Sequence, residues 1–270
     1  MYDDDEFYQS LKDEFESDDL NDCNKWFNMF DLSENTVSPL YDLDPDINYY
    51  QSVSALMGSD CKYFLENDFN LELEKREITD NNFSIIHINI RSLPRNLDVL
   101  RHYLSTLRVK FKIIAISESW LNANNSELYG LEDYNLISNF RSNRRGGGVS
   151  LFIHKSITYN IVSSLTISDV HIESLFIEIN KTTVCKNNNV YVGVIYRPPS
   201  SDVNKFNESL RNLCDLVKPR DKNVYIAGDF NIDLLNHEHH LHTSEFIDHI
   251  YSYSLLSHDL PELLTIHQPS

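Results

Sequence analysis

From Phe83 onward the chain is built of short aliphatic runs separated by polar turns, and several of these runs stop on a polar residue. A buried strand needs about 4–8 apolar residues and a typical helix needs more, so this texture constrains the fold more than any other feature. FSIIHINI (83–90) and FKIIAISES (111–119) read as strands, and further strands are expected at 134–140, 148–154, 159–165, 173–180, 189–197 and 223–229. Between them, Leu97, Leu100, Leu104 and Leu107 recur at spacings of 3, 4 and 3, which predicts a helix with one buried face. Phe206, Leu210, Leu213 and Val217 predict a second, opened by Ser201 or Asp202 as a cap, and 243–253 predicts a third. Strand–helix–strand units mixed with runs of strands imply an α+β fold with sheet stacked on sheet and helices outside. A parallel dinucleotide fold would alternate more regularly, and no period suggests a solenoid.

The N-terminal texture is different. Residues 1–80 hold 22 acidic and 5 basic side chains and sustain no periodicity, so they are expected to be an acidic, largely disordered segment ahead of a domain at 81–270. The overall charge of −18 would oppose polyanion binding if it were spread evenly, but residues 81–270 carry 19 acidic and 18 basic groups. Within 81–155 basic residues outnumber acidic ones 10 to 5, so one face of the domain could meet phosphates. The four cysteines form no CxxC pair, which fits a reducing compartment. With no basic, apolar leader and no run of membrane-spanning length, the expected location is cytoplasmic or nuclear, without a membrane partner.

Four strands end on polar residues: HINIRSL with Asn89, ISESWL with Glu118, VIYRPP with Tyr196, and AGDFNIDLL with Asp229 and Asn231. Strand ends at a sheet rim are rigid and wet, which suits catalytic groups. Singly, each has an ordinary explanation as a turn former, a solvated acid, a core-edge ring or an Asx turn. As an ordered series, with NIRSL, ESWL, RRGGGV, YRPP and GDFNIDLL in sequence, they resemble the endonuclease/exonuclease/phosphatase superfamily. The wording is most similar to the endonucleases of non-long-terminal-repeat retrotransposons, which precede a reverse transcriptase.

That resemblance implies a DNase I-like, four-layered α/β sandwich of two mainly antiparallel sheets with flanking helices. It also implies that Glu118, assisted by Asn89, holds Mg²⁺ or Mn²⁺, hard cations that prefer oxygen and keep much of their water. By the same resemblance Asp229 orients or deprotonates the attacking water, while Asn231 and Tyr196 donate hydrogen bonds to the phosphate. Arg91, Arg141, Arg144, Arg145 and Arg197 are the expected contacts to backbone phosphates. The run Gly146, Gly147 and Gly148 precedes a strand and not a helix, so it reads as a bulge or hairpin entry more than as a phosphate cradle.

Two histidine features invite other readings. The tract His237, His239, His240 and His242 lies in a polar loop before a helix and reads as surface, not as a metal site. Ser257, His258 and Asp259 are in the wrong order and place for the Ser-Asp-His that closes such domains. The family's Thr/Ser-Leu-Ile-Asp strand and its terminal Asp-His do not occur, so the domain is expected to be incomplete at its C-terminus. The expected function is a metal-dependent, DNA-nicking hydrolase of retrotransposon origin, impaired by that loss, with a reverse transcriptase in any longer product. Its rivals are an inactive remnant that binds nucleic acid or protein, and a phosphodiesterase for a different substrate on the same fold.

Overall fold

The structure is a computed structural model that describes residues 62–64, 66–141, 146–180, 189–217, 223–234, 237–253 and 264–266. Its first sheet has the order β2-β3-β5-β4, from strands β2 (Ile85–Asn89), β3 (Ile113–Ser117), β4 (Tyr134–Asn139) and β5 (Val149–His154). The second runs β10-β9-β8-β6, from β6 (Tyr159–Ile161), β8 (Glu173–Ile179), β9 (Val190–Tyr196) and β10 (Asn223–Asp229), with β7 (Ile167–Ser168) also paired to β8. Within these sheets only the β2/β3 and β9/β10 pairs are parallel, as the mainly antiparallel expectation required. A separate parallel pair joins β1 (Lys62–Phe64) to β11 (Leu264–Ile266).

Strand alternation divides the core into three apolar layers. Ile85, Ile113, Ala115, Val149, Leu151 and Ile153 of the first sheet meet Leu175, Ile177, Ile179, Val190, Val192 and Val194 of the second. The alternate residues, Ile86, Ile114, Ile116 and Phe152, face outward onto helices α1 (Glu66–Lys75) and α2 (Leu93–Thr106). On the far side, Phe176 and Ile195 pack on α3 (Val203–Val217) and α4 (Leu241–Ser252). Helix, sheet, sheet and helix make four layers.

The helices follow from their sequences. In α3 the predicted stripe Phe206, Leu210, Leu213 and Val217 is buried, and the Asp202 carboxylate caps the helix by accepting the Lys205 N–H at 3.0 Å. That bond is the main reason why the Asp202 carboxyl lies below its usual range. In α2, Leu93, Leu97 and Leu100 are buried, and Pro94 stands in the first turn, where its missing N–H costs nothing.

Ahead of the boundary expected at residue 80, α1 forms from 66 to 75, and Phe69 and Leu73 insert into the core beside α2. Two apolar side chains four apart on one helical face outweigh the acidic residues around them, of which Glu74 stays exposed and Glu72 pairs with Arg76. Residues 1–61, the bulk of the acidic segment, lie outside the described residues. The strand expected at 159–165 ends at Ile161 and gives way to a 3₁₀ turn at Ser163–Leu165 that buries Leu165. Among the described residues no helix is long and apolar enough to cross a membrane.

Candidate active site

The rim where β2, β3, β9 and β10 end gathers the residues singled out from sequence. In the second sheet Asp229 of β10 is level with Tyr196 of β9, and Tyr196 is level with Glu173 of β8. In the first sheet Asn89 of β2 is level with Ser117 of β3, and Glu118 follows at once. Because the sheets are stacked, these two rows face one another. The Asn89 amide nitrogen spans the gap and donates both to Glu118 Oε1 at 3.1 Å and to Asp229 Oδ2 at 2.6 Å. Two carboxylates from different sheets therefore meet around one amide.

Several residues here adopt the left-handed backbone region that L-residues rarely occupy: Arg91 (φ 46°), Ser92 (φ 106°), Glu118 (φ 53°), Trp120 (φ 53°) and Asn231 (φ 48°). Such positions cost about 1–3 kcal/mol each and persist where surrounding bonds over-determine them. Around Glu118 those bonds are plain: its carbonyl accepts the Ser92 N–H at 2.9 Å, while the Ser119 and Trp120 N–H groups donate to the Gly148 and Gly147 carbonyls at 3.1 and 2.9 Å. Gly148 itself has φ +84°, and a Cβ there would stand 2.8 Å from the buried Ser119 hydroxyl, so only glycine fits. The glycine run is thus the entry to β5 that its context suggested.

Asp229 is 6% exposed, and its Oδ1 accepts the Asn231 N–H at 3.0 Å. The Asn231 side-chain amide donates to the Arg197 carbonyl at 2.8 Å. Tyr196 is buried, and burial, followed by the charges of Glu118 and Asp229, drives its phenol pKa far upward. It is a neutral O–H at any working pH. Below Asn89 on the same strand, His87 is fully buried, its Nε2 is 3.1 Å from the Ser117 hydroxyl, and burial lowers its pKa to about 3.

The expected phosphate contacts divide. Arg91 is exposed beside Asn89, where α2 begins. Arg197 does not fit the expectation: it is 4% exposed, and its guanidinium donates to the carbonyls of Phe230 (2.6 Å), Ser201 (2.7 Å) and Asn231, so it is a brace for the Asp229 loop. Arg141 is corrected likewise. It is paired with the buried Glu173. A guanidinium supplies five N–H donors in a rigid fork, and the chain's own carbonyls and carboxylates use them here. Arg144 and Arg145 lie outside the described residues, as do Ser257, His258 and Asp259. In the histidine tract, His240 bonds Thr243 and His242 bonds Glu245.

Glu173 escaped the sequence reading, although its signal was the one used elsewhere, a polar residue at the tip of an apolar strand. It opens its strand instead of closing it: β8 runs antiparallel to β9 and brings its first residue to the rim.

Among the described residues no group of three or more His, Cys, Asp or Glu side chains is arranged to hold a metal ion. The donors present, two carboxylates and one carboxamide, are hard oxygen ligands too few for a zinc or calcium cage. They fit a cation that retains most of its water, with the Asn89 amide turned to present Oδ1, which accepts a long bond from the Arg91 N–H at 3.3 Å.

With fold and rim in place, the chain can be set beside known proteins. The profile of the Endonuclease/Exonuclease/phosphatase family matches residues 86–264, more than half of the sequence, and the chain belongs to that family. No curated protein matches it. Solved structures similar to it include the endonuclease domain of TRAS1, a telomere-specific non-LTR retrotransposon, at 10% identity over 63% of this chain and 69% of that one, with a TM-score of 0.44. The Xenopus laevis APE2 catalytic domain is similar at 18% identity over 62% and 67%, with a TM-score of 0.44. The 3′ phosphatase NExo from Neisseria, bound to a product DNA hairpin, is similar at 12% identity over 66% and 76%, with a TM-score of 0.43.

Proposed function

We propose that the chain is a divalent-cation-dependent phosphodiester hydrolase that nicks DNA, of the kind carried by non-LTR retrotransposons beside a reverse transcriptase, and that it acts in the cytoplasm or nucleus. The observation that carries this reading is the single Asn89 nitrogen bonded to both Glu118 and Asp229, which focuses two carboxylates on one point of the rim. Glu118 and Asn89 would hold Mg²⁺ or Mn²⁺, which when bound supplies charge to offset that on the scissile phosphate and the departing oxygen.

The remaining groups have separate tasks. Asp229, fixed at Oδ1 by the Asn231 N–H, is placed to orient the attacking water and take its proton at Oδ2. Tyr196, held neutral, offers an O–H to a phosphoryl oxygen as charge grows there, and Asn231 offers the second hydrogen of its amide. Arg91 is the backbone-phosphate contact nearest the rim. The motif wording NIRSL, ESWL, YRPP and GDFNIDLL supports DNA over other phosphodiesters.

A supercoiled-plasmid relaxation assay tests this. Mg²⁺-dependent nicking is expected, and Glu118→Ala and Asp229→Ala should each reduce it by about 10²–10⁴, the range for a lost acid–base or charge-stabilising group. Nicking that persists in chelator, or that survives both substitutions, would overturn the assignment.

A further inference from the structure

Glu173 belongs to no expected catalytic set, yet it is 1% exposed at the rim, level with Tyr196. One carboxylate oxygen accepts from Arg141 Nε and the other from the Gly148 N–H. Burial pushes its carboxyl pKa up, and the Arg141 charge and the Gly148 N–H pull it back. Glu118 lies near enough for its charge to be felt at Glu173 as well. Buried ion pairs are poor stabilisers, because desolvation offsets attraction, so this pair calls for a reason other than stability.

The bonding path supplies one. Glu173 holds Gly148, the carbonyls of Gly147 and Gly148 hold the Trp120 and Ser119 N–H groups, and Glu118 immediately precedes these two in its left-handed conformation. Asn139, at the end of the neighbouring strand β4, ties the same corner to β7 and β8 by donating to the carbonyls of Ile167 and Ser174 at 2.6 and 2.9 Å. We infer that Glu173, with Arg141 as its counter-charge, is a positioning residue that clamps the Gly146–Gly148 turn and thereby aims the Glu118 carboxylate at the cation position. The inference rests on the reading of Glu118 as a cation ligand. The carboxylates of Glu118 and Glu173 then have distinct roles, one facing the cation and the other gripping backbone behind it.

The test is Mn²⁺ binding by the full chain without DNA, followed by the electron paramagnetic resonance signal of free Mn²⁺ well below the unfolding midpoint of every variant. Glu173→Gln keeps the side-chain volume and removes the charge. Loss of a residue that orients a ligand typically weakens metal binding by about 10- to 100-fold, and that loss is expected here with the folded state intact by near-ultraviolet circular dichroism. If Glu173→Gln does not fold, Arg141→Gln decides, since it removes the counter-charge that holds Glu173 and leaves the backbone of the Gly146–Gly148 turn unaltered. Wild-type binding that Glu118→Ala abolishes and the clamp variant leaves unchanged would overturn the inference while the cation site stands. Wild-type binding that Glu118→Ala does not weaken would overturn the cation reading and the inference with it.

Discussion

His87 makes the stability of this domain depend on pH in a direction that can be worked out in advance. It lies on the inner face of β2, in line with Ile85 and Asn89, and burial lowers its pKa from 6.5 to about 3. The folded state therefore keeps the ring neutral where the unfolded chain would take up a proton. Because the folded pKa is depressed, stability is present above the unfolded pKa and is lost as pH falls from about 6.5 toward 3, by about 1.4 kcal/mol per unit once below 6.5. Between pH 7 and pH 5 the loss from this one group is about 2 kcal/mol, which corresponds to a midpoint shift of roughly 4–8 °C for a domain of this size. Other groups titrate over the same range, so the useful measurement is a difference. Urea unfolding at several pH values is compared between the wild type and His87→Gln, which can still bond the Ser117 hydroxyl but does not titrate. The wild type should lose about 2 kcal/mol relative to the variant from pH 7 to pH 5. Parallel stability curves would show that His87 is protonated within the fold or reached by water, and would refute the argument.

Arg197→Ala should destabilise the domain, since each buried carbonyl left without its donor costs about 1–3 kcal/mol, whereas Arg91→Ala should leave stability unchanged and weaken DNA binding. Denaturation and salt-dependent binding measured on both variants check the division, and the reverse pattern would refute it. Gly228→Ala should cost more than the about 1–3 kcal/mol usual for overpacking, because its Cβ would stand 1.8 Å from the Ile195 carbonyl oxygen and force β10 off β9 just before Asp229. A thermal midpoint within about 2 °C of wild type would show that the strand pair accommodates the methyl.

Local pattern was enough to set most of the longer strands and the two longest helices. Short apolar runs at 113–117 and 190–196, buried on both faces, specify strands, and period 3–4 in Leu97, Leu100 and Phe206, Leu210, Leu213 specifies a buried helical face, without reference to any partner. The ends of those strands likewise pointed to Asn89, Glu118, Tyr196, Asp229 and Asn231, because a polar residue that closes an apolar run marks the rim of the sheet, and Tyr196 and Asp229 are buried at that rim. What sequence left open is decided by pairings between residues far apart in the chain. Whether an arginine reaches a phosphate or braces a loop depends on which carbonyls and carboxylates surround it: Arg197 met those of Phe230, Ser201 and Asn231, and Arg141 met Glu173, 32 residues on. The entry of α1 into the core likewise needed the gap beside α2 that Phe69 and Leu73 fill. Glu173 became part of the rim only because β8 runs antiparallel to β9, and strand direction is a property of the assembled sheet, not of the strand itself.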